Sequence, residues 1–170
     1  MTANDIIRDF IKNIFMEKPN NLVFPNTYIG KFEADLIEIT RSGYAYEYEV
    51  KISRSDFKAD ANKHFTVGYF EKTTHLKSEQ TKGGTRVNHF YYVVPRDLLT
   101  ADDVPAFAGL IYANQHETRR MSFHIIKKAP KLSKDKLGDN IKQKCFLSSY
   151  YKFHKLLKTK NNKKNENYEQ

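Results

Sequence analysis

The chain reads as an α/β domain in which a mixed central sheet is flanked by helices. Three observations lead there. The chain opens with Ile6, Ile7, Phe10, Ile11, Ile14 and Phe15 at helical spacing. Two β-rich runs then meet at Arg41-Ser42-Gly43, the pattern of a hairpin. Further aromatic and β-branched runs follow a second helical stretch.

Asn4 or Asp5 is placed to cap the first helix, and Pro19-Asn20-Asn21 ends it. Leu22 to Tyr28 forms a first strand, which Pro25 assigns to an edge or bulge. In the hairpin, a three-residue loop with Gly43 in the left-handed position sets Thr40 opposite Tyr44. Ser53-Arg54-Ser55-Asp56 offers capping chemistry for a second helix beginning about Ser55. Its inner stripe is Phe57, Ala61, His64, Phe65 and Gly68, which carries it to about Phe70. Residues 71–88 are polar, include Gly83-Gly84 and read as a long loop able to flank a bound duplex. Strands are expected at His89 to Val94, Gly109 to Ala113 and Met121 to Ile126. A last helix from about Lys134 to Leu157 carries Leu137, Ile141, Cys145, Ser149, Phe153 and Leu157 at four-residue intervals. One domain over residues 1–158 and a disordered Lys/Asn-rich tail over 159–170 complete the expectation.

At 170 residues the chain suits one domain with a sizeable core. No run approaches a membrane span, the N-terminus lacks the order of a signal peptide, and a cytoplasmic location is expected. The single cysteine, Cys145, excludes an internal disulfide and reads as a core thiol on a helix. Residues 1–126 balance 16 Lys/Arg against 16 Asp/Glu, whereas 127–164 hold 13 Lys against Asp135 and Asp139. The net charge of +9 therefore belongs to the C-terminal quarter. Such a block favours an acidic polymer, nucleic acid first, although it also fits a merely solubilising helix and tail.

The hairpin holds the chemistry. Counting outward from its loop sets Asp35 opposite Glu49, and alternation puts Glu47, Glu49 and Lys51 on one face with Asp35 and Ile37. Opposed carboxylates destabilise a sheet, and a hard divalent cation held between them removes that penalty. Lys51 then lies beside the same point. A solvated hairpin face with mixed charges is the plain alternative. Glu33, two residues before Asp35, is either a further ligand or, as favoured here, the ion-pair partner of Lys51; Glu47 belongs to the rim. Arg54 and Ser55 stand where a strand feeds a helix N-terminus, a place for phosphate, though Ser55 serves equally as a cap. Lys63, His64 and Tyr69 either line the cleft or, for His64, pack on the sheet. Tyr91 and Tyr92 read as core or interface aromatics.

The pattern Asp35…Glu49-Val50-Lys51 resembles the active site of the PD-(D/E)XK nuclease superfamily. Several segments look like its MmcB-related branch, which is associated with DNA repair and phage-borne genes. They are Gly43-Tyr44…Glu47…Glu49-Val50-Lys51-Ile52-Ser53-Arg54-Ser55-Asp56-Phe57-Lys58-Ala59-Asp60, then Lys63-His64, His89 to Pro95, and Val104-Pro105…Gly109-Leu110-Ile111. The resemblance spans roughly residues 22–132 and departs from the superfamily in having Ala34, not Pro, before Asp35. It implies a restriction-endonuclease-like three-layer core and Mg²⁺- or Mn²⁺-dependent hydrolysis of DNA. Asp35, Glu49 and the Val50 carbonyl would be the metal ligands, and Lys51 the residue that orients water. It also implies an acid from the first helix, for which Asp9 and Glu17 are candidates. A DNA-binding module that keeps the fold without catalysis is the alternative, and a homodimer is compatible with either.

Overall fold

The computed structural model describes residues 1–29, 33–61, 64–67, 73–76, 87–118 and 120–166. Its elements are α1 (Ala3–Glu17), β1 (Leu22–Tyr28), β2 (Glu33–Ile39), β3 (Ala45–Val50), α2 (Arg54–Ala61), β4 (His64–Val67), β5 (Thr73–Leu76), β6 (His89–Pro95), β7 (Ala108–Gln115), β8 (Met121–Lys127) and α3 (Asp139–Glu166). A six-stranded sheet runs in the order β1-β2-β3-β6-β7-β8. Its β3-β6 and β6-β7 pairs are parallel and the others antiparallel, so the sheet is mixed.

Alternation along β2 and β3 builds two cores. Leu36, Tyr48 and Val50 meet Ile6, Phe10 and Ile14 of α1 on one face. On the other, Ile37, Ile39 and Ala45 meet Leu137 and Cys145 of the α3 region, while Phe90, Tyr92 and Val94 pack with Phe57 of α2. The result is three layers: α1, sheet, then α2 and α3. β1 is an edge strand, which is where Pro25 is tolerated. At the hairpin turn Gly43 has φ +90°, Gly43 N–H donates to the Thr40 carbonyl and Thr40 N–H to that of Tyr44, both at 2.8 Å. Gly109 is needed for another reason: a Cβ there would lie 2.4 Å from the Tyr91 ring.

Several boundaries differ from the sequence reading. Thr2, not Asn4 or Asp5, caps α1, its hydroxyl accepting from Asp5 N–H while Asp5 returns the bond to Thr2 N–H. Ser53 caps α2 through Asp56 N–H at 3.1 Å, as the Ser53-Arg54-Ser55-Asp56 pattern predicts, and the helix begins at Arg54, one residue before Ser55. That helix stops at Ala61, and β4 and β5 pair as a small antiparallel sheet where the helix was expected to reach Phe70. Phe65-Thr66-Val67 and Thr73-Thr74 are β-branched and aromatic, so strand preference overrides the weak helical stripe. Gly68, Tyr69, Phe70 and most of the expected loop, Gly83-Gly84 included, lie outside the described residues. α3 begins at Asp139 and continues past Asn161 to Glu166, since lysine is a good helix former. Residues 167–170 of the expected tail lie outside the described residues.

Candidate functional site

β3 points Tyr46, Tyr48 and Val50 toward α1 and leaves Glu47, Glu49 and Lys51 for the opposite face. Lys51 follows the last strand residue but stays aligned with β6, its N–H donating to the Val93 carbonyl at 3.1 Å. Its ammonium donates to Glu49 Oε2 at 3.0 Å and to Asp60 Oδ1 at 3.1 Å. All three residues are buried, with 3%, 1% and 2% of their surface exposed for Lys51, Glu49 and Asp60. The Tyr92 hydroxyl, on the residue directly across from Glu49 in β6, donates to the other oxygen of Asp60 at 3.4 Å.

Asp60 arrives by helical spacing. Phe57 and Asp60 are three apart on α2 and share its inner face. Phe57 sets its ring edge-on to Tyr92 at 4.9 Å, which carries Asp60 over the end of β3. Burial pushes the Lys51 pKa down, but Glu49 and then Asp60 outweigh it and hold the ammonium's pKa above its ordinary value. Burial first, then the charges of Asp60 and Glu49, push the Tyr92 phenol upward, so it remains a donor.

Asp35 stands one step away. The paired register ends at Leu36↔Tyr48, and the next rung of the same count is Asp35 with Glu49. There the ladder gives way: Val50 N–H donates to Asp35 Oδ2 at 2.8 Å. Strand alternation is interrupted at this point, since Ala34 packs with Ile37 and not with Leu36. On β1 the residue opposite is Asn26, with φ +49°. The half-buried Asp35 carboxylate is thus turned onto the β3 backbone beside Glu49 instead of simply sharing its face.

Lys51, expected to pair with Glu33, pairs with Glu49 and Asp60; Glu33 is exposed at the end of β2. Asp9 and Glu17 lie on α1, across the sheet, where Asp9 pairs with Arg8 and Lys12 and Glu17 accepts from Asn13. Arg54 points to Asp103 through contacts of 3.4 and 3.3 Å. Ser55 is exposed with its hydroxyl 2.9 Å from that of Ser53. Lys63 lies outside the described residues, and His64 opens β4. Tyr91 and Tyr92 are buried core aromatics. Among the described residues, no three of His, Cys, Asp and Glu form a group placed to hold a metal ion.

Asp60 is the member that sequence reasoning left without a role. The signal was present, an acid three residues after an inward-facing aromatic on a short helix, but it needs the fold of α2 over β3 to be read.

Comparison with protein-family models finds no match, and comparison with curated proteins finds none. Among solved structures, the chain is similar to the SPO1766 protein of unknown function from Silicibacter pomeroyi, with 16% identity, a TM-score of 0.64 and 94% of each chain covered. That likeness is one of fold. Among the described residues no helix is long and apolar enough to cross a membrane.

Proposed function

We propose that the protein is a divalent-metal-dependent hydrolase of DNA phosphodiester bonds, with a PD-(D/E)XK-like core and Asp35, Glu49 and Lys51 as its working residues. The observation that carries this reading is the buried Lys51 ammonium fixed between Glu49 and Asp60, one backbone bond from Asp35. Carboxylates of Asp35 and Glu49 with the Val50 carbonyl are the hard oxygen donors that Mg²⁺ or Mn²⁺ prefers. When bound, such an ion supplies Lewis acidity toward a phosphoryl oxygen and acidifies a water.

The chain's own groups have distinct tasks. Lys51, kept protonated, orients the attacking water and offsets negative charge developing on the phosphate. Asp60 positions Lys51, and Tyr92 positions Asp60. Arg54 and the first turn of α2 present positive charge and backbone N–H groups to a neighbouring phosphate. The lysines of α3 add attraction for the backbone of DNA.

A second reading, a DNA-binding module without catalysis, is favoured by one fact: Lys51 already spends its ammonium on two carboxylates and is almost wholly buried. Incubation with supercoiled plasmid and Mn²⁺ separates the two. Hydrolysis by wild type that disappears in Glu49→Ala and Lys51→Ala supports the nuclease; intact plasmid with salt-sensitive retention of DNA selects the module. Absence of both rejects a nucleic-acid role. Truncation after Thr159 should weaken retention and flatten its salt dependence under either reading.

A further inference from the structure

Among the described residues, the contacts of α3 with the body lie along its first half. Cys145 is fully buried, the Phe146 ring meets Phe24 edge-on at 5.1 Å, and the Lys152 ammonium donates to the Pro25 carbonyl at 3.2 Å and to that of Asn26. Yet Phe146, Tyr150, Phe153 and Leu157 keep 50%, 61%, 60% and 44% of their surface exposed, with Leu147 beside them at 46%. These apolar side chains follow one another by four, three and four residues, the spacing of a helix–helix seam.

We infer that this stripe is the interface with a second copy of the chain, α3 against α3 across a two-fold axis. Two arguments select that occupant. Five large side chains, each about half exposed, offer on the order of 500 Å² per protomer. Doubled by symmetry, the area is roughly 1,000 Å², the size at which specific dimers begin. The second argument is charge. From Phe146 to Leu157 the positions flanking the seam are Leu147, Ser149, His154 and Leu156, with no lysine among them, while Lys144, Lys155 and Lys158 lie on the other side; Lys142 and Lys160 border the seam at its two ends. Over that span two seams meet without like-charge repulsion. An antiparallel crossing also keeps the two Lys-rich C-terminal ends apart.

The inference stands apart from the hydrolase reading and neither needs it nor supports it. Sedimentation equilibrium of the full chain tests it. Wild type should be dimeric at micromolar concentration, and Lys155→Ala should remain so. The double variant Tyr150→Lys, Phe153→Lys should be monomeric with unchanged circular dichroism. The milder Tyr150→Ser should raise the dimer dissociation constant about tenfold. A wild type monomeric throughout, or a double variant still dimeric, overturns the inference. So does a monomeric wild type that co-sediments with anionic phospholipid vesicles, which would assign the stripe to a membrane surface.

Discussion

Glu38 and Glu49 are two buried carboxylates of the same hairpin, on opposite faces of the sheet, and their surroundings are built in opposite senses. Glu38 is the centre of its cluster: Lys18 donates at 3.1 and 3.4 Å, Tyr48 at 2.5 Å, and Asn21 through its amide. Lys18 reaches in from solvent, with 46% of its side chain exposed. On the other face the centre is the cation, and the acids converge on Lys51. Donors gathered around an anion are how a fold buries an acid. Acids gathered around an ammonium do something else, since they hold a lysine charged, fixed and aimed. The contrast is why Glu38 is read as structural and Lys51 as the heart of a site.

The largest expected effect comes from removing that centre. Lys51→Met removes the ammonium that the buried Glu49 and Asp60 share, and should cost about 3–5 kcal/mol in urea unfolding at neutral pH. The deficit should shrink on acidification, because carboxylates deprived of their cation take up protons more readily when folded than when unfolded. A loss below about 1 kcal/mol would mean that the cluster is not organised by its lysine.

Glu38→Leu should cost less, about 2–3 kcal/mol. Lys18 can withdraw into water, so the penalty rests on the Tyr48 hydroxyl and the Asn21 amide that lose their acceptor. DNA cleavage, if present, should survive this change and vanish with Lys51→Met. Equal loss of cleavage in both would erase the distinction between the two faces.

At alkaline pH the two clusters should behave alike. Lys51 holds its proton more tightly folded than unfolded, so its contribution is complete below about pH 10 and fades as pH rises through its elevated folded value. Tyr48 is raised by burial and then by Glu38, and Tyr92 by burial and then by Asp60. Each stays protonated in the fold while the unfolded phenol ionises near pH 10, which again drains stability as pH rises. The urea midpoint should be flat from neutrality to about pH 9 and fall beyond about pH 10. Tyr48→Phe and Tyr92→Phe should each make that fall shallower; an unchanged slope in both would place the alkaline transition elsewhere.

These two clusters also mark how far the sequence could be read. Strand assignments along β1, β2, β3, β6, β7 and β8 follow from alternation and turn chemistry, and the hairpin register rests on Gly43 alone. Local rules suffice there because each neighbour is a few residues away. Asp60 and Tyr92 were not legible as partners of Lys51, because α2 must first fold back over β3 and β6 must pair parallel to it. The β4–β5 hairpin was missed where a short β-branched run competed with an apparent helical stripe. α3 misled differently: four-residue steps drift about 40° per turn around a helix, so Phe153 and Leu157 are carried off the face of Leu137 and Cys145 and stand exposed.

The smallest structural effect should attend the most diagnostic change. Asp35→Asn retains a side-chain oxygen able to accept the Val50 N–H, so stability should move by less than about 1 kcal/mol. The substitution nonetheless removes one of the two carboxylates proposed to hold a divalent cation. Calorimetric titration of Mn²⁺ should therefore show heat of binding in wild type that is lost or weakened at least about tenfold in Asp35→Asn, with urea midpoints nearly equal. Binding that is undiminished would confine Asp35 to its backbone bond, as an acid that trims the end of the β2–β3 ladder. It would also leave Glu49, Lys51 and Asp60 as a structural cluster of the same standing as Glu38, and the asymmetry between the two faces would then be one of packing alone.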